Sequence, residues 1–329
     1  MHTVQIYGTI GPSCADTETL QEMFRMGMTG VRLNTSHVSV REAAPQIRMI
    51  REAAEASGKQ AQILIDMQGP ELRIGKLAAA MDLKTGQRVS LQKEADGMEG
   101  FIPIPEIVSQ VLEKGREVLL DDGRIQLEMI GRQEALVKRG GVLTASKSIA
   151  LPGLELDAPA MTAQDASNIR DAVEYGVTAV MQPFVRSAED LRAVRTCMDQ
   201  SGGTGLRLLA KIENMSGVEH LENFFGLADE IVIARGDLGN AMPLWELPKV
   251  QQEISACCRE AGVPFMVVTQ MLSSMEHRAV PTRAEVNDIY HAVCDGAASV
   301  MVTGETAVGE YPVEVIRYLA RTVETAQSV

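Results

Sequence analysis

The chain has 329 residues, 45% of them hydrophobic, and a formal net charge of −13. That length buries a large core and suggests one large domain plus a smaller one, while the acidity speaks against a nucleic-acid partner, since phosphate backbones are met by clustered Lys and Arg. No apolar run reaches the roughly 18 residues of a membrane helix, and the start MHTVQIYGTIGP lacks a basic stretch followed by an apolar one, so neither a membrane span nor a signal peptide is expected.

Short apolar strands then alternate with amphipathic helical stretches. Strands are expected at 4–10, 30–34, 62–66, 178–182, 206–212, 230–234, 264–269 and 299–303. Helices are expected at 17–27, 39–58, 162–176, 187–202, 245–262, 282–296 and 312–326. Several open on Ser or Thr with an acidic residue or Gln one turn later, and several close on Gly, the expected start and stop signals. Eight such strands predict an α/β fold, a (β/α)8 TIM barrel with its sites at the carboxyl ends of the strands. A doubly wound open sheet is the competing arrangement.

One interval breaks the rhythm. Residues 71–157 change to short β-like runs separated by Gly-rich turns, DLKTGQRVSLQ, REVLLDDGRIQLEMI and EALVKRGGVLTA, which reads as a small β domain inserted after strand three. The barrel then comprises 1–70 and 158–329. An insertion at that end of a barrel strand is placed to act as a lid, with a merely decorative insertion as the plain alternative.

The strand ends carry the chemistry. LRLLA runs into Lys211 and Glu213, and side chains two apart on a strand share a face. EIVIA runs into Arg235, Gly236 and Asp237, so a second carboxylate leaves its strand at equivalent depth, beside a glycine that lets a ligand approach backbone. Two carboxylates and an ammonium, with remaining positions left to water and substrate phosphate, suit Mg2+ or Mn2+; a simple Lys–Glu salt bridge is the bland reading. Arg32, Asn34 and Ser36 on and after strand two, Asp66 on strand three, Thr269 on strand seven, and Thr303, Gly304 and Glu305 at the end of strand eight complete a polar mouth. Ser36, Thr303 and Glu305 read equally well as cap or turn residues. There is no P-loop, no GxGxxG after the first strand and no HExxH. His220, His277 and His291 read as ordinary helix or surface residues, and Trp245 as packing the following helix. The five cysteines, Cys14, Cys197, Cys257, Cys258 and Cys294, lack CxxC spacing, which indicates neither a disulfide framework nor a zinc site and fits a reducing cytoplasm. The 18 methionines read chiefly as core filling.

The segments TIGPS, VRLNTSH, IDMQGPELR, LLDDG, LPGLELDAPAMTAQD, AKIEN, ARGDLG, VVTQMLSSM, PTRAEVNDI and TGETAVGEYPVE resemble the successive motifs of the pyruvate kinase family, in that family's order, from about residue 5 to residue 327. The resemblance implies a (β/α)8 barrel with an inserted β-barrel-like lid domain, and a phosphotransferase acting on phosphoenolpyruvate and ADP to give pyruvate and ATP. It implies Mg2+ or Mn2+ at Glu213 and Asp237, and Lys211 stabilising the phosphoryl group and the enolate. Gly236, Asp237 and Thr269 would hold the substrate carboxylate, with Thr269 also placed near enolate protonation. Arg32, His37, Arg73 and Lys147 match phosphate and nucleotide positions. K+ is implied at the side chains of Asn34, Ser36 and Asp66 and the carbonyl of Met67, and Glu71 matches the potassium-dependent form of its motif. The chain departs from the family pattern at Gln68, Val38, Pro183, Ser148 and Ala150, all on the nucleotide and phosphate side. The family's C-terminal regulatory domain is not represented before Val329, and TQMLSSMEHRAVPTRAE resembles its other interface region, implying a homodimer or tetramer. A 2-keto acid aldolase or decarboxylase using the same enolate site, and a noncatalytic phosphoenolpyruvate-binding protein, are the alternative readings.

Overall fold

Eight parallel strands close on themselves: in sequence, Gln5–Thr9, Gly30–Asn34, Gln62–Asp66, Ala179–Gln182, Arg207–Ile212, Glu230–Ala234, Phe265–Val268 and Ser299–Met301, each paired with its sequence neighbours. The ring is completed by the first and last strands, with Gln5 opposite Ser299 and Tyr7 opposite Met301. This is the (β/α)8 barrel, not the open sheet, in a computed structural model that describes residues 3–36, 38–93, 100–121, 123–154, 156 and 158–328. Among them no helix is long and apolar enough to cross a membrane.

The helices follow from their caps. Thr162 and Asp165 form a reciprocal capping box for Ala163–Glu174, and Thr282 and Glu285 do the same for Arg283–Cys294. Leu247–Ala261 stops at Gly262, whose φ of +67° is the left-handed cap conformation. The second helix departs from expectation: it runs Ala44–Ala56 and not from residue 39. Pro45 is the reason, since a residue without an N–H belongs in the first turn of a helix. Strand five is followed only by the short helix Met215–Glu219 and a 3₁₀ turn, Leu221–Phe224.

Period-two alternation layers the barrel interior. At the amino-terminal end, Arg207 and Glu230 pair at 2.6 Å, and Ser299 donates to Glu230. The middle is an apolar plug of Tyr7, Leu64, Ala179, Met181, Leu209, Val232, Ala234, Met266, Val268 and Met301. Two residues beyond Leu64 and Leu209 come Asp66 and Lys211, so the alternation that fills the core delivers charge to the carboxyl end.

The chain divides into two compact units: the barrel, 1–70, 159–238 and 246–329, and a second unit of 71–158 with 239–245. In the second unit the described strands form an antiparallel pair, Met81–Leu83 with Gly141–Leu143, and a six-stranded sheet. Its core is separate and built from Val, Ile and Leu, among them Leu91, Ile102, Val118, Leu120, Leu127 and Val137.

Candidate active site

Four of the expected residues form one buried network at the carboxyl end of the barrel. Lys211 Nζ lies 2.9 Å from Glu213 Oε1 and 3.3 Å from Asp66 Oδ1. Arg32 grips the same Asp66: its Nη2 is 2.7 Å from Oδ2, and its Nε donates to that oxygen at 2.9 Å. The reach from strand five to strand three passes over strand four, whose inward residues there are only Ala179 and Met181. Glu213 Oε2 accepts the Phe184 N–H at 2.8 Å, and Arg32 Nη1 donates to Thr9 Oγ1 at 3.4 Å. The Lys–Glu salt bridge is therefore present, as one edge of a larger array.

The network sets the protonation states. Burial opposes the charged form of Asp66, but the Lys211 and Arg32 cations outweigh it and hold the carboxyl below its usual range. Burial likewise pulls Lys211 down, and Asp66 and Glu213 overcome it, raising the ammonium above its ordinary value. With both cations only 14% exposed, Asp66 4% and Glu213 1%, the charges act through little water. Lys211 is thus a fixed positive charge near neutral pH, suited to stabilising an anion and unsuited to shuttling a proton.

Strands six and seven bring Gly236 and Thr269 together. A β-carbon added at Gly236 would lie 3.1 Å from Thr269 Cγ2, so glycine here permits close passage of the threonine side chain. Strand seven ends at Val268, one residue earlier than expected, and Thr269 and Gln270 take φ values of +79° and +57°. Two consecutive non-glycine residues in the left-handed region, one of them β-branched, are uncommon. Asp237 follows in the short helix Arg235–Ala241 and is partly buried.

Asn34 and Asp66 stand opposite each other on adjacent strands. The Ser36 N–H donates to Asn34 Oδ1 at 3.0 Å, and the Thr35 N–H and hydroxyl donate to the Asp66 carbonyl at 3.0 and 2.7 Å. Met67 is buried and donates its N–H to the Met181 carbonyl. His37 lies outside the described residues. Among the described residues no group of three or more His, Cys, Asp or Glu is arranged to hold a metal ion. The donors that chemistry offers a hard cation are oxygens of Glu213 and Asp237, and each Glu213 oxygen, bonded once, keeps a second lone pair.

Within the second unit, Arg73 pairs with Glu71 at 2.9 Å and donates to the Ser146 carbonyl at 2.8 Å, while Lys147 pairs with Asp121 at 2.6 Å. Ser148 bridges to Arg73, and Ala150 pairs with Leu119. On the barrel, Val38 is partly buried, Pro183 packs on Gly69, where an added β-carbon would sit 2.5 Å from the proline ring, and the Gln68 N–H is bound by Asp165.

Other singled-out residues take structural parts. Glu305 is a buried brace, accepting from the backbone of Leu272 and Thr303 at 3.2 and 2.7 Å. Trp245, expected to be packed, is 82% exposed. The cysteines are free thiols, and burial pushes Cys14 up to about 11 and Cys258 to about 12, which keeps both protonated and unreactive. Asp165, Phe184, Arg235 and Asp288 were not anticipated as supports of the site. For Asp165 a signal existed in its capping-box spacing; for Asp288, on the outer helix Arg283–Cys294, none did.

A parallel (β/α)8 barrel with a buried lysine–carboxylate network at the carboxyl ends of its strands is the class that fold and site define. The family profile described as the pyruvate kinase barrel domain matches residues 1–316, and the chain belongs to the pyruvate kinase family. It is 36% identical to a pyruvate kinase of Sporosarcina psychrophila over all of this chain and 58% of that protein. It is likewise 36% identical to pyruvate kinase PKLR of Homo sapiens, over 98% of this chain and 60% of that one. With a pyruvate kinase of Aeropyrum pernix the identity is 37%, over 97% and 69%. The chain thus spans between 58% and 69% of the length of these curated relatives.

Proposed function

We propose that this chain transfers the phosphoryl group of phosphoenolpyruvate to ADP, producing pyruvate and ATP. The observation that carries the reading is Lys211, an ammonium held permanently charged between two buried carboxylates at the strand ends. Phosphoryl transfer asks little covalent work of a protein and much positioning and neutralisation. Lys211 is assigned to the charge that builds on the transferred group and on the enolate. Arg32, tied to Asp66, adds a second fixed cation on the phosphate side. Backbone amides around Gly236 and Asp237, with the Thr269 hydroxyl, hold the substrate carboxylate, and Thr269 orients the group that protonates the enolate.

Glu213 and Asp237 would hold Mg2+ or Mn2+, which when bound would neutralise the negative charge of the reacting groups. Asn34, Ser36, Asp66 and the Met67 carbonyl supply only oxygen donors, as K+ requires. Arg73 and Lys147 of the inserted unit, with His37, are assigned to the nucleotide. The segment from Thr269 to Glu285 is assigned to contact between copies in a homodimer or tetramer, and a cytoplasmic setting suits the free thiols.

The test is pyruvate formation from phosphoenolpyruvate, ADP, Mg2+ and K+, coupled to lactate dehydrogenase and NADH. Activity is expected in the parent and lost by at least about 1,000-fold in Lys211→Met and Asp237→Asn. Equal turnover in sodium-only and potassium buffers would remove the K+ assignment. Absence of turnover with any nucleoside diphosphate would remove the kinase reading.

A further inference from the structure

Thr269 is held in its unusual conformation by a side chain with no assigned role. Arg235 Nε and Nη2 donate to the Thr269 carbonyl at 3.1 and 2.7 Å. Its Nη1 is bound by both oxygens of Asp288, at 2.8 and 2.7 Å, and Nη2 also meets Met271 Sδ at 2.9 Å. All three nitrogens are engaged, and the Arg235 side chain is 11% exposed. Its planar fork fixes the peptide plane between Thr269 and Gln270, the two residues with positive φ. Arg235 is also the residue immediately before Gly236, whose missing β-carbon gives the Thr269 side chain its room. The guanidinium therefore fixes the Thr269 carbonyl directly beside the glycine that gives the threonine side chain its room.

We propose that Arg235, locked by Asp288, is a positioning residue that aims the Thr269 hydroxyl at the reacting end of the substrate. The catalytic part of this proposal rests on the kinase reading; the conformational part does not. A lysine at 235 has one nitrogen in place of three and cannot hold the carbonyl and Asp288 in one plane. Asparagine at 288 keeps the shape of the aspartate but gives up its charge and one of the two acceptors.

The test is to crystallise Arg235→Lys and Asp288→Asn and to measure kcat and KM for phosphoenolpyruvate in each. Thr269 is expected to leave positive φ in Arg235→Lys, and kcat to fall about 100-fold there, with a much smaller change in KM. Asp288→Asn, the milder change at a side chain 33% exposed, is expected to fold and to show a smaller loss in the same direction. Thr269 remaining at positive φ in both variants, or kcat unchanged in both, overturns the proposal. If the parent makes no pyruvate, the kinase reading fails by itself, and the φ of Thr269 in the variants still decides whether Arg235 positions it.

Discussion

Lys211 shows how far one side chain is determined by its neighbours. Asp66 has its carboxyl depressed, so its contribution to stability is complete above its unfolded value, about pH 4, and is lost as pH falls through the still lower folded value. Lys211 is raised, so its contribution is complete below about pH 10 and is lost only as pH climbs through a higher folded value. Stability from the network is therefore flat across the neutral range. In Lys211→Met, among the described residues Glu213 keeps the Phe184 amide and Asp66 keeps Arg32, and unfolding in urea at pH 7 is expected to show a loss of about 3–5 kcal/mol. The loss should shrink at pH 3.5, where protons take over the neutralisation; an equal loss at both values would refute this account. The pairing of Lys211 with Glu213 was legible from strand periodicity alone. The left-handed Thr269, at a cost of about 1–2 kcal/mol, and the grip of Arg235 on its carbonyl from 34 positions away were not, because no local pattern announces a contact over that separation.

Asp165 does for elements what Lys211 does for charges. Fully buried, it caps its own helix through the Thr162 N–H and hydroxyl, both at 2.8 Å, and binds the Gln68 and Gly69 N–H groups at 2.9 and 3.0 Å. It thereby ties the backbone leaving strand three to the start of the helix before strand four. Thr162→Ala removes one cap and should cost about 1 kcal/mol in urea unfolding. Asp165→Ala strands several buried donors and should cost about 3 kcal/mol; equal costs for the two would show that the loop contacts contribute nothing. The strands were readable to within a residue or two because each is an apolar run bounded by turn residues. The second helix was misplaced at its start because Ser39 offers a cap signal, yet Pro45 decides where the helix begins. The hydrogen bonds from Asp165 to the loop after strand three join residues 97 and 96 positions apart, beyond any local signal.

Among the described residues each unit has a hydrophobic core of its own. Calorimetric unfolding is expected to deviate from a single two-state transition, with a calorimetric enthalpy above the van't Hoff value; coincidence of the two enthalpies would show that the cores melt as one. The barrel carries another consequence. Its seam is sewn by strands from opposite ends of the chain, and the Thr9 N–H reaches Thr306 across 297 residues of sequence. A ribosome adding about 5–20 residues per second leaves the first strand without its last neighbour for on the order of 15–60 s. During that wait an apolar strand presents an unpaired edge, the template on which chains mispair. The closure that gives the barrel no edges thus leaves the nascent chain exposed to mispairing until its last strand arrives, and the same long-range pairing should make refolding slow.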